Sequence, residues 1–138
     1  MLLVVDANVL LAGLLQDSTT RSLILDTRLA LHAPEHLLEE TMRHVMSDQR
    51  FRRRLGLSKH ETEFVLTVLF KPMTVVPASR YRRHMKKAAT LAPHPEDAPY
   101  LALALALKAH LWSNDRALAR QTKVPVVTTR QLLQMLIR

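Results

Sequence analysis

The 138 residues contain no cysteine, which excludes disulfides and thiolate metal sites and fits a reducing cytoplasm. No apolar run approaches the roughly 20 residues of a membrane span, so no membrane association is expected. The apolar N-terminus does not read as a signal peptide, because Asp6 interrupts it and no basic residue precedes it. Aromatic residues make up only 4% of the chain. Few can therefore stack on bases, and Phe51 and Tyr81, each inside a basic cluster, are the candidates. Repeats, low-complexity tracts and long linkers are also missing. Residues 1–138 are expected to form one domain, long enough to bury a real core.

The charges are unevenly placed. The chain carries a net +8, and between Arg43 and Lys87 twelve Lys/Arg face only Asp48, Glu61 and Glu63. That segment alone is +9, which leaves −1 for everything else. A near-neutral body with one basic region suits a phosphate-bearing partner.

Apolar runs alternate with amphipathic ones, the pattern of an α/β fold with a mainly parallel sheet. Strands are expected near Leu2–Val5, Ala30–Ala33, Thr74–Val76, Ala109–Trp112 and Val124–Val127. A long helix is expected from about Glu35 to Arg54, and Gly56 separates it from another that Ser58 and Glu61 open with a capping box. Ser79 is expected to cap a basic helix that Pro93 and Pro95 end, and Arg130–Arg138 to form a last short helix. Pro99 fits only a first helical turn, so a further helix should begin at about Asp97; its Leu101–Leu107 run is apolar almost all round.

Two apolar runs end in a carboxylate: Leu2–Val5 meets Asp6, and Ala109–Trp112 meets Ser113-Asn114-Asp115. In an open parallel sheet ligands bind at the carboxyl ends of the strands. Glu39-Glu40 and Glu96-Asp97 supply two more acidic spots. Acids brought to one edge would hold a hard divalent ion such as Mg²⁺ or Mn²⁺, and such sites cut or transfer phosphates. Taken alone, any one Asp is better explained as a helix cap than as a metal ligand, but Ser or Asn would cap as effectively, and capping does not require three acids. Asn8 and Ser113, two residues from a key Asp, could orient ligands from behind. Glu39 and Glu40 flank the apolar face of their helix on opposite sides, so periodicity does not choose between them.

Four segments carry a family resemblance: Val-Val-Asp-Ala-Asn-Val-Leu (4–10), Leu-Leu-Glu-Glu-Thr (37–41), Glu-Asp-Ala-Pro-Tyr-Leu-Ala-Leu-Ala (96–104) and Trp-Ser-Asn-Asp-Arg-Ala-Leu (112–118). In order and spacing they resemble the acidic motifs of the PIN-domain nucleases over essentially the whole chain. The resemblance implies a three-layer α/β/α sandwich with a sheet of about five strands, and metal-dependent RNA cleavage. The protein would often be the toxin of a VapBC-type toxin–antitoxin pair, with an antitoxin partner and a homodimeric state. Carried over by position, the catalytic and metal-ligating residues would be Asp6, Glu40, Asp97 and Asp115, with Glu39 as the fallback for Glu40.

If the helix from Glu35 runs unbroken to Arg54, then Arg43, Arg50 and Arg54 share a face with the acids and form a track for RNA. Arg53 and the second cluster, Arg80, Arg82 and Arg83, complete the RNA-binding candidates. The seven histidines form no metal signature; Pro34 separates His32 from His36. Other classes fit less well. A haloacid-dehalogenase-like phosphotransferase needs a second acid where Asn8 stands, and a receiver domain needs a late lysine at a strand end. The more serious rival is a PIN-like module that binds RNA or protein without cutting.

Overall fold

In the computed structural model, which describes residues 1–15 and 18–137, five parallel strands form one sheet. They are β1 (Leu2–Val5), β2 (Ala30–Pro34), β3 (Thr74–Val76), β4 (His110–Trp112) and β5 (Val126–Val127), in the order β3-β2-β1-β4-β5. Strand β1 is central. Leu3, Val4 and Val5 are wholly buried, as a strand covered on both faces requires. It pairs with β2 through Leu3↔Leu31 and with β4 through Val4↔Leu111.

The helices are α1 (Ala7–Leu14), α2 (Ser18–Ile24), α3 (Leu37–Ser47), α4 (Gln49–Leu55), α5 (Lys59–Phe70), α6 (Met85–Leu91), α7 (Ala98–Leu107) and α8 (Thr129–Leu136). Helices α1, α2, α3 and α5 pack among themselves, while α6 packs on α7 and α7 lies against β1, β2 and β4. With right-handed crossovers this is the expected three-layer α/β/α sandwich. The chain moves from β1 outward to β3, then returns across β1 to β4. The order reverses between β1 and β4, so a crevice opens at the ends of those two strands.

Several local expectations hold. Ser58 and Glu61 form the reciprocal capping box of α5, and the helix runs to Phe70 as the sequence indicates. Pro99 lies in the first turn of α7, and the flanking Leu101, Ala102 and Leu103 are completely buried. A second capping box, Thr128 with Gln131, opens α8.

Three expectations fail. The long helix is broken at Asp48, whose backbone is extended (φ −102°, ψ 103°) and whose carboxylate accepts the amides of Arg50 and Phe51. An Asp that caps a new helix ends the old one, so Arg43 and Arg54 do not share a single axis. The basic stretch after Ser79 is not one helix either. Ala78–Arg80 and Arg82–His84 are 3-10 turns, and α6 starts only at Met85 and stops at Leu91, ahead of the prolines. Finally, Phe51 and Tyr81 are buried, 8% and 3% exposed, so they belong to the core and cannot stack on bases. Among the described residues no helix is long and apolar enough to cross a membrane.

Candidate active site

Strand β1 delivers Asp6 to the crevice. Its amide donates to the Trp112 carbonyl (3.1 Å), carrying the β1–β4 pairing one residue past the strand, and the residue is 4% exposed. The Asp6 carboxylate does not complete a cap hydrogen bond to α1, although the Asn8 and Ala7 amides at the start of that helix help to hold its charge. Instead Oδ2 accepts the Ser113 hydroxyl at 2.7 Å. Ser113, itself buried at the end of β4, uses the same oxygen to accept the Asp115 amide at 3.1 Å. One hydroxyl therefore ties the acid of β1 to the acid after β4.

Asp115 precedes no α-helix. Its Oδ1 accepts the Ala117 amide (2.9 Å) in a turn that leads to the 3-10 segment Leu118–Arg120. Asn114 between them is structural: its amide group bonds Thr129 in both directions, and Trp112 Nε1 donates to the same Thr129 hydroxyl. That knot fastens the loop after β4 to the start of α8.

Asp97 comes in on a rigid support. The 3-10 turn Pro95–Asp97 leads directly into α7, and Asp97 makes no cap bond to that helix. Its Oδ2 is buried without a hydrogen-bond partner. A buried carboxylate oxygen with no donor is costly, and a cation would satisfy it.

Glu40 lies one turn into α3, half-buried; its Oε2 accepts the Tyr100 hydroxyl at 3.1 Å and stands 3.2 Å from His36 Nε2, an ion pair when that ring is protonated. Their rings are 6.1 Å apart and tilted by 56°, so α7 and the start of α3 grip Glu40 between them. Glu39 is exposed and does not line this cleft.

Together these residues bound a cleft of about 210 Å³ lined by Asp6, Asn8, Glu40, His44, Asp97 and Tyr100 among others. Asp115 does not line it, but its charge is felt by both Asp6 and Asp97. Burial, and then the repulsion of Asp115, raise the Asp6 carboxyl above the usual carboxylate value, although the Ser113 hydroxyl pulls it down. Burial raises Asp97 too, reinforced by the charges of Asp6 and Asp115. Tyr100 is pushed well above the ordinary phenol range by burial and by Glu40, which keeps it a hydrogen-bond donor.

An all-oxygen set of mutually repelling carboxylates, one with an orphaned buried oxygen, fits a hard divalent ion. Among the described residues no three His, Asp or Glu side chains stand together as a ready-made metal site. The sequence reading thus brings Asp6, Asp97 and Glu40 to one cleft, with Asp115 beside it and Ser113 behind. Asn8 sits on the rim, and all the candidate arginines (Arg43, Arg50, Arg53, Arg54, Arg80, Arg82, Arg83) are exposed outside the cleft. The reading missed Tyr100, His36 and His44. The signal was present as helical spacing: Tyr100 is one turn after Asp97, and His36, Glu40 and His44 recur every four residues.

A sequence model of the PIN domain matches residues 4–137. No curated protein matches by sequence. Among solved structures, VapBC2 from Rickettsia felis, crystallised bound to a DNA fragment from its promoter, superposes with a TM-score of 0.74 at 12% identity, covering 93% of this chain and 98% of that one. PAE2754 from Pyrobaculum aerophilum superposes with a TM-score of 0.69 at 20% identity, covering 98% and 88%. At these identities the likeness is one of fold.

Proposed function

The chain belongs to the PIN domain family, and from that premise we propose that it is a metal-dependent endoribonuclease working at the Asp6–Asp97 cleft. The observation that carries the reading is the unpartnered, buried Oδ2 of Asp97 beside the raised carboxyl of Asp6. Carboxylates buried against one another's repulsion, one of them with an oxygen left without a donor, have a use for a cation. Asp6, Glu40, Asp97 and Asp115 are the residues that would hold it. A bound Mg²⁺ or Mn²⁺ supplies polarisation of the scissile phosphate and a lower pKa for the attacking water.

The chain's own groups do the positioning. Ser113 fixes Asp6 and the Asp115 backbone, and Tyr100 with His36 fixes Glu40. The phenol of Tyr100 stays protonated and so remains a donor to Glu40 rather than a base. Exposed arginines such as Arg50 and Arg53 draw the RNA backbone toward the cleft.

The VapBC2 likeness supports a place as the toxin of a toxin–antitoxin pair, with an antitoxin as partner. Exposed Phe64 and Val68 on α5, and Met135 and Ile137 at the C-terminal end, leave apolar surface for such a partner or for a homodimer. The test is cleavage of a mixed single-stranded RNA by purified protein. Cleavage is expected with Mg²⁺ or Mn²⁺, loss in EDTA, and recovery when metal is returned. Binding without cleavage under every metal condition would favour the non-catalytic PIN-like module.

A further inference from the structure

Three depressions in the surface adjoin one another through single shared residues, in a line leading away from the acid cleft. His44 lines the acid cleft and also a second depression with Ser47, Asp48, Gln49 and Arg50. Gln49 in turn belongs to a third, with Arg52 and Arg53. The break at Asp48 creates this path, because it starts α4 afresh and sets Gln49, Arg50 and Arg53 on one face at helical spacing. Arg50 and Arg53 are exposed. The one acid along the path, Asp48, has its Oδ1 engaged by the amides of Arg50 and Phe51, and it lies at the positive end of α4. By contrast Arg80, Arg82 and Arg83 line none of the three depressions; the turn carrying Arg82 and Arg83 packs against α6 and α7.

We propose that a single RNA strand leaves the acid cleft past His44 and lies along this groove, with its phosphates on Arg50 and Arg53, while Arg80, Arg82 and Arg83 take no direct part. The proposal rests on the nuclease reading for its substrate class and adds the direction in which the substrate extends. The two clusters, equal in sign and grouped together by the sequence, thereby acquire different roles.

Charge-matched variants separate a groove from a general positive field. Arg50→Ala/Arg53→Ala and Arg82→Ala/Arg83→Ala each remove two charges from exposed sites. Affinity for a labelled single-stranded RNA of roughly ten nucleotides is measured by anisotropy in EDTA, over a range of salt. Loss of the α4 pair is expected to weaken binding by about tenfold and to lower the salt slope by about 1.4, for two single-strand phosphate contacts. Loss of the other pair is expected to change affinity by less than about twofold. Equal losses from both pairs, loss only from Arg82→Ala/Arg83→Ala, or no RNA binding by the wild type would overturn the groove. Cleavage of the same RNA with Mn²⁺ is read separately. Intact, α4-dependent binding without cleavage removes the nuclease reading and leaves the groove, whereas cleavage with α4-independent binding does the reverse.

Discussion

Tyr100 shows how a single side chain reaches the chemistry without joining it. Its hydroxyl donates to Glu40 Oε2, the same oxygen that His36 approaches. Groups that orient a ligand from behind typically change metal affinity by about 10–100-fold when removed. Tyr100→Phe keeps the ring against His36 and deletes only the donor. It is expected to weaken Mn²⁺ binding, measured by calorimetry, by roughly tenfold with little change in fold. The acids themselves set a pH dependence. A carboxyl whose pKa is higher folded than unfolded holds an extra proton in the folded state between the two values, so stability falls as pH rises through that window. Asp6 and Asp97 are both raised, burial being the leading cause. In EDTA, the Tm of Asp6→Asn should therefore sit close to that of wild type at acid pH. It should exceed wild type progressively as the pH passes from the ordinary carboxylate range through the raised value of Asp6. A difference that shrinks with rising pH would mean that Asp6 is not strained.

At the scale of elements, Asp48 decides the path from α3 to α4. Asp48→Ala removes two amide partners from the start of α4 and is expected to cost about 1 kcal/mol in denaturant unfolding, while Asp48→Asn should recover most of it. The helix pair also marks where sequence reading stops. All five strands were legible, because buried parallel strands must be short apolar runs, and each lies within about two residues of its expected place. The capping box of α5 and the proline-fixed start of α7 were equally plain, since both are local chemistry. The break at Asp48 was not. Amphipathic periodicity continues across it with little phase change, and whether an Asp caps a new helix or rides the face of an old one depends on packing. The basic turns Ala78–Arg80 and Arg82–His84 failed for a related reason: Tyr81 between them is drawn into the core, which interrupts the helix that its neighbours would form. Burial of Phe51 and Tyr81 similarly followed from tertiary packing, not from the charges beside them. At the site, the positions of Asp6, Asp97 and Asp115 could be read because strand ends and helix starts announce them. The grip of Tyr100 and His36 on Glu40 joins residues 60 apart and needed the fold.

For the whole molecule, the central claim is that the acids are kept for a cation and that RNA is cut there. The reversal of strand order between β1 and β4 opens the crevice, Ser113 ties its two sides, and α7 brings Asp97 from the opposite layer. A caps-only account and a metal-site account predict different behaviour for the same substitution. Asp6→Asn keeps an oxygen for the Ser113 hydroxyl to donate to, and removes one of the mutually repelling charges. The decisive measurement is Asp6→Asn beside wild type, with Tm and cleavage of single-stranded RNA in Mn²⁺ recorded on the same preparations. The account predicts opposite responses: in EDTA at neutral pH the variant melts higher, because burial and repulsion of the charge are relieved, yet its RNA cleavage falls by at least about a hundredfold. A variant that cuts RNA as fast as wild type, or that loses stability while keeping activity, would contradict it.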